Sequence, residues 1–373
     1  MEPDTIAEQV RMCGACPKMC RHVCPTFFAW RSEAPTPHGR ALLMHQEITG
    51  TREIDERGVE VLYQCLECSH CLTWCKPEID IATLVEIKRR DLVKSGQQPE
   101  AISRLTGLVK KNHNPFGEEH SKRSDWIKTS NSKGSRVLYF TGCTAAYRET
   151  GSAQDTVSLL EHLGYSVEIA PDEWCCGSPL IRTGDVDSGF ELAKHNAEVL
   201  NRTDVEAILV TCPGCYRTLT SDYSEYGHEL NKPVQHISEF LRISLDKLPK
   251  GKFDGPITFH DPCHLGRHSG IYDAPREVIA AVSGSSVVEM ERNKENAMCC
   301  GNGAGLRTMF PDHAKKIGDE RIRHAKNVDA QYLVTSCPFC KNMLASQSEN
   351  EITVLDLPEF VMMAEKVHYD KTD

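Results

Sequence analysis

Eighteen cysteines in a chain of 373 residues are the side chains with most chemistry to offer, and their spacing says what kind. CxxC pairs recur at 13/16, 65/68, 68/71, 212/215 and 337/340. Thiolate sulfur at that spacing is a soft chelating donor, suited to zinc and to iron-sulfide clusters. The chain starts "MEPDTIAEQV", without the basic region and apolar core of a secretory signal. A cytoplasmic protein is expected, and in that reducing compartment the cysteines read as ligands rather than disulfides. Eight form two tight runs, "CGACPKMCRHVCP" with Cys13, Cys16, Cys20 and Cys24, and "CLECSHCLTWCKP" with Cys65, Cys68, Cys71 and Cys75. Zinc modules do not usually crowd four cysteines into so few residues, which favours iron-sulfide.

The other ten obey a repeat. Cys143 answers to Cys263 at an offset of 120 residues, Cys175 and Cys176 to Cys299 and Cys300 at 124, and Cys212 and Cys215 to Cys337 and Cys340 at 125. One module, duplicated with small loop insertions, explains these offsets. The stretch "CCGNGAGLR" at 299–307 also resembles a phosphate-cradling turn, but its counterpart "CCGSPLIRTGD" keeps the paired cysteines and not the closely following glycines. A dinucleotide cradle needs those glycines. Gly177 and Gly301 are accordingly expected to let the backbone pass close to a bulky group. The extra Gly303 and Gly305 are expected to leave the second site the less covered and substrate-facing one.

The elements that must position these residues follow from periodicity. Residues 1–96 carry helical patterns in "PHGRALLMHQEI", "DERGVEVLYQ" and "IDIATLVEIKRRDLVKSG", the last closed by Gly96, with no hairpin signal. Residues 97–134, with "HNPFGEEH" and "SNSKGS", read as a polar connection on the surface. Beyond them "RVLYF", "SVEIA" and "EAILVT" alternate with helical lengths, and "ITFH", "SVVEM" and "QYLVTS" repeat the order. That alternation predicts two α/β modules with parallel sheets, 135–252 and 253–373. The cysteines follow strand carboxyl ends, where open parallel sheets gather ligands.

A net charge of −10 argues against electrostatic binding of nucleic acid. The basic runs Lys88-Arg89-Arg90 and Lys110-Lys111 read as solvated helix faces. No apolar run approaches the ~20 residues a bilayer-spanning helix needs. Around Cys263, "HDPCHLGRHSG" offers His264, Arg267 and His268 as candidate catalytic groups: imidazole to deliver protons or tune a metal site, guanidinium to hold an anionic substrate group. His260 reads as a structural residue at the end of its strand.

These motifs resemble known families. "CLECSHCLTWC" is similar to the run of two-cluster ferredoxins, in which the fourth cysteine of each run serves the other cluster. On that rule Cys13, Cys16, Cys20 and Cys75 hold one 4Fe-4S cluster, and Cys65, Cys68, Cys71 and Cys24 another. Two departures are visible: three residues separate Cys16 from Cys20, and Lys76 precedes Pro77. With helices between the runs, residues 1–96 resemble the helical ferredoxin domain. The ten repeated cysteines resemble the CCG domain, and the whole chain resembles the D-type subunits of heterodisulfide reductase. That resemblance implies two noncubane 4Fe-4S clusters, one on Cys143, Cys175, Cys176, Cys212 and Cys215 and the other on Cys263, Cys299, Cys300, Cys337 and Cys340, with a structural zinc as the alternative at the first. It implies an oxidoreductase component relaying electrons to reduce a disulfide or oxidise thiols. The alternative is a non-catalytic component linking a flavoprotein dehydrogenase or electron-transfer flavoprotein to a membrane quinone or cytochrome. Either implies a redox partner, a flavoprotein or a membrane cytochrome b-type subunit, and a cytoplasmic location that extends to the membrane face through that partner.

Overall fold

The computed structural model describes residues 1–127, 134–170 and 172–369. The amino-terminal part is helical, built from Pro3–Gly14, Pro25–Trp30, Pro37–Ile48, Glu56–Tyr63, His70–Thr73 and Ile81–Lys94. Side chains start three of these helices: Thr36 accepts from Gly39 N, Asp55 from Gly58 N, and Asp80 from Ala82 N and Thr83 N. Each satisfies amides that the first turn leaves without partners. Val10, Ala41, Met44, Leu62, Tyr63, Leu84 and Val85 fill the centre of the bundle. The helix Ile81–Lys94 ends as its sequence indicates, with Gly96 at φ +71° and Gln97 N donating to Leu92 O at 2.8 Å.

The expected surface connection is an integral element. Residues 100–112 form a helix, Glu100–Asn112, whose Ile102, Leu105 and Val109 are buried at i, i+3 and i+7. Polar composition concealed it, because the apolar stripe is narrow. Of the "SNSKGS" stretch, residues 130–133 lie outside the described residues.

The first module holds β1 (Arg136–Phe140), β2 (Ser166–Glu168), β3 (Ala207–Val210) and β4 (Val234–His236), all parallel in the order β2-β1-β3-β4. The second holds β5 (Ile257–His260), β6 (Tyr332–Thr335) and β7 (Thr353–Asp356), parallel in the order β5-β6-β7. The strand expected at "SVVEM" is not formed. Val288 N donates to Ile257 O at 2.7 Å, but the Val288 carbonyl is taken by the Thr258 hydroxyl at 2.6 Å, so no ladder continues. The two sheets share one core, in which Val137, Leu209 and Ile237 meet Phe259, Val334 and Phe360.

The run Lys88-Arg89-Arg90 also departs from expectation. Arg89 is fully buried. Its guanidinium donates to Glu67 Oε1 at 2.5 Å, to the carbonyls of Leu62 and Cys65 at 2.8 and 2.7 Å, to Arg182 O at 2.8 Å and to Ala304 O at 3.4 Å. One side chain thus joins the helical region to both modules. A charge run shows composition but not facing, and Arg89 lies on the inner side of its helix. Lys110 and Lys111 are exposed, as expected.

Candidate metal centres

Cys13 ends the helix Pro3–Gly14, Cys16 and Cys20 lie in the following loop, and Cys24 precedes the helix Pro25–Trp30. Cys75 follows the short helix His70–Thr73. Burial pushes the Cys13 thiol up to about 12, with Cys20, Cys16 and Cys75 the sulfurs close enough to add to it. Cys71 is raised well above the ordinary thiol value by burial and then by Cys68, Cys65, Cys24 and Cys20. Cys24, Cys65, Cys68 and Cys71 line one small cavity. The structure thus brings Cys75 beside Cys13 and Cys20, and Cys24 beside Cys65, Cys68 and Cys71 as well as beside Cys20. Glu67 and Ser69, both at positive φ, bend the backbone so that the sulfurs turn inward. The amides of Glu67 and Ile79 donate to the sulfurs of Cys65 and Cys75 at 3.4 and 3.3 Å.

In the first module the sulfurs form a line of neighbours within hydrogen-bonding reach, Cys143–Cys175–Cys176–Cys215–Cys212. The second repeats it as Cys263–Cys299–Cys300–Cys340–Cys337. Two further contacts join the sets. Cys212 reaches Cys337 between the modules, and Cys68 of the helical region reaches Cys299.

All eighteen cysteines are free thiols. Crowding and burial hold Cys143, Cys215, Cys299, Cys337 and Cys340 well above the ordinary thiol value. Thiolates this close need positive charge among them, which a metal centre supplies. The donor set fits iron-sulfide: sulfur only, five cysteines from three loops in each module. His260 stands beside Cys300 and Cys340 with a ring nitrogen within 4.8 Å of both sulfurs.

The glycines have clear causes. Gly177 and Gly301 adopt φ +96° and +95°, and a Cβ on Gly301 would lie 2.6 Å from Ala314 O. The expectation that Gly303 and Gly305 uncover the second site is corrected. A Cβ on Gly303 would lie 3.3 Å from Leu66 O, and one on Gly305 would lie 3.0 Å from Thr183. These glycines admit neighbouring segments, and Cys299 and Cys300 are as buried as Cys175 and Cys176.

His264, Arg267 and His268 converge on the same seam. Arg267 donates to Cys68 O at 2.5 Å and to Ala297 O at 2.7 Å, and the His268 ring pairs with Glu67 O at 2.8 Å. His264 lies half-buried with its ring 4.7 Å from that of His268. Burial first, then cationic neighbours, hold His268 down at about 3 and His264 well below the ordinary imidazole value. Both rings are neutral at physiological pH.

Sequence reasoning missed a clamp on the first module. The buried Glu173 carboxylate accepts from Thr141 N at 3.0 Å and Gly142 N at 2.9 Å and pairs with the buried Arg123. It ties the Cys143 loop to the Cys175 loop. An isolated Glu two residues before a cysteine carries no pattern by which to find it.

Comparison with known proteins adds the following. The family described as cysteine-rich domain, CCG, matches residues 137–220 and 257–345. Over 94 % of its length the chain is 36 % identical to the D subunit of the dihydromethanophenazine:CoB–CoM heterodisulfide reductase of Methanosarcina barkeri, covering 92 % of that protein. It is 31 % identical, over 83 % of its length, to an EtfAB:quinone oxidoreductase of Syntrophomonas wolfei, and it spans 47 % of that relative. A solved structure of a hypothetical protein from Helicobacter pylori overlays 88 % of this chain and 68 % of its own with a TM-score of 0.56 at 11 % identity, a likeness of fold.

Proposed function

The chain belongs to the family of heterodisulfide reductase D subunits, as an iron-sulfur oxidoreductase component with two CCG domains, and from that premise we propose that it passes electrons between a partner and a disulfide or its two thiols. Cys13, Cys16, Cys20 and Cys75, and Cys65, Cys68, Cys71 and Cys24, would each hold a ferredoxin-type 4Fe-4S cluster. The five cysteines of each module would hold a noncubane 4Fe-4S cluster. When bound, such clusters supply one-electron steps and exposed iron that can take a substrate sulfur. One observation carries the reading: a line of sulfur contacts runs from Cys68 to Cys299 and across Cys337 to Cys212, linking all three regions.

The chain's own residues give that line its shape. Arg267 and His268 bind the carbonyls of Cys68 and Glu67 and so hold the helical region against the second module. Arg267 Nη2 is buried without a hydrogen-bond partner among the described residues, and its charge faces the sulfurs of Cys68, Cys263 and Cys299, where it would offset the negative charge of thiolate ligands. The neutral rings of His264 and His268 can relay protons to leaving thiolates by accepting and donating in turn, without a standing charge in the buried seam. The partner would be a flavoprotein or a membrane cytochrome b-type subunit. No helix among the described residues is long and apolar enough to cross a membrane, so attachment to the cytoplasmic face would come through that partner.

A second reading, electron transfer without substrate chemistry, is favoured by the similarity to the EtfAB:quinone oxidoreductase. In it the chain would link a flavoprotein to a membrane quinone or cytochrome. Anaerobic purification with iron, sulfide and zinc analysis tests the shared part: four 4Fe clusters give about 16 irons per chain. About half that iron with stoichiometric zinc overturns the noncubane assignment. A disulfide added to the dithionite-reduced protein divides the readings, because only a reduced cluster has electrons to give it. Catalysis gives a new paramagnetic signal that is lost in Cys299→Ser, whereas pure electron transfer gives none.

A further inference from the structure

The duplication supplies an internal comparison. His260 ends β5 three residues before Cys263, and the residue that ends β1 three residues before Cys143 is Phe140. Both side chains are buried. At this matched position one module turns a polar ring toward its sulfurs and the other a benzene ring.

The His260 ring is held from one side. Arg321 Nε donates to Nδ1 at 3.0 Å, and Arg321 Nη1 donates to Arg292 O at 2.7 Å. Arg321 is fully buried, and burial lowers it only to about 10, so it stays a cation at physiological pH and can only donate. Nδ1 must therefore be the accepting nitrogen, and the ring proton sits on Nε2. Nε2 is buried with no hydrogen-bond partner of any kind among the described residues. A ring nitrogen stands within 4.8 Å of the Cys300 and Cys340 sulfurs, the acceptors nearest to that proton. A protonated Nε2 has no lone pair to offer a metal, which leaves it a donor without an acceptor beside two sulfurs.

The first module fills the matched helix position differently. Pro311–Lys326 and Val186–Asn201 are helices of 16 residues, and Arg321 in one corresponds to Asn196 in the other. The Asn196 amide donates to Cys175 O at 3.0 Å and accepts from Trp174 N at 2.9 Å. It fixes the backbone and leaves the sulfurs alone.

We propose that His260, oriented by Arg321, donates its Nε2–H to the Cys300 sulfur and makes the second cysteine site the more readily reduced of the duplicated pair. A hydrogen bond to a ligating sulfur favours the more negative, reduced state of a cluster and raises its potential. Phe140 provides no such bond in the first module. The difference falls on the module that Cys68 touches, so electrons entering from the helical region meet the more oxidising site first. The inference rests on the reading that both modules hold iron-sulfur clusters.

Redox titration of the anaerobic full-length protein, followed by electron paramagnetic resonance, is the test. The unaltered protein should show two module signals with separated midpoints. His260→Phe should shift the higher midpoint down toward the lower one at unchanged iron content, and should remove an exchangeable-proton coupling seen by electron-nuclear double resonance. His260→Gln, which keeps a donor, should restore most of the midpoint. Two full-iron signals that ignore His260→Phe overturn the inference alone. Loss of iron from one module in both variants also overturns it, because His260 would then be a ligand or a packing residue. Absence of any module iron signal from the unaltered protein defeats the underlying reading as well.

Discussion

Arg89 shows how much one side chain can hold. Its partner Glu67 lies between Cys65 and Cys68; burial raises the Glu67 carboxyl to about 8 even with Arg89 beside it drawing it down. Removing one member of such a pair strands the other in a dry seam, at about 3–5 kcal/mol. Arg89→Met should therefore lower stability by that amount, read from the thermal unfolding of the iron-loaded protein. Glu67→Gln together with Arg89→Met should cost less than the two single changes summed. Equal and additive losses would mean that the pair does not act as a unit. The buried pairs Arg123–Glu173 and Arg182–Asp222 follow the same design, whereas exposed pairs such as Arg104–Glu100 contribute little.

At the scale of elements, β7 and the helix Leu357–Tyr369 meet at Asp356, a buried carboxyl that accepts from the Ser152 hydroxyl at 2.7 Å across the module seam. Burial, then Glu359, raises it to about 8, far above the ordinary value for an aspartate. The folded chain thus holds a proton there that the unfolded chain has released, and stability contributed at this position falls as pH rises from about 4 to 8. Asp356→Asn, which keeps the shape without the charge, should flatten that slope and stabilise the protein at pH 8 by about 1–3 kcal/mol. Unfolding midpoints across that pH range check it, and an unchanged slope would show that Asp356 is ionised in the folded protein.

Across the whole molecule, the cysteine loops are the common lining of all three regions. Their sulfurs lie within the apolar clusters of both modules and of the helical bundle, so removing the metal exposes crowded thiols inside the core. Stripping iron with a chelator should lower the melting temperature and increase proteolysis near residues 65–75, because metal binding and folding are coupled. An apo form as resistant as the holo form would argue for a preformed scaffold. By itself the sequence determined the number and spacing of the cysteines, the duplication and the alternation of strands and helices, because these are written in residue type, offset and period. Only the tertiary structure decided which charges turn inward, as with Arg89 and Arg123, and which polar ring faces a sulfur, as with His260. It also decided that Gly303 admits Leu66 rather than solvent, and that Cys68 meets Cys299 and Cys212 meets Cys337. Those facts depend on how distant segments pack, and packing distance leaves no period in a chain.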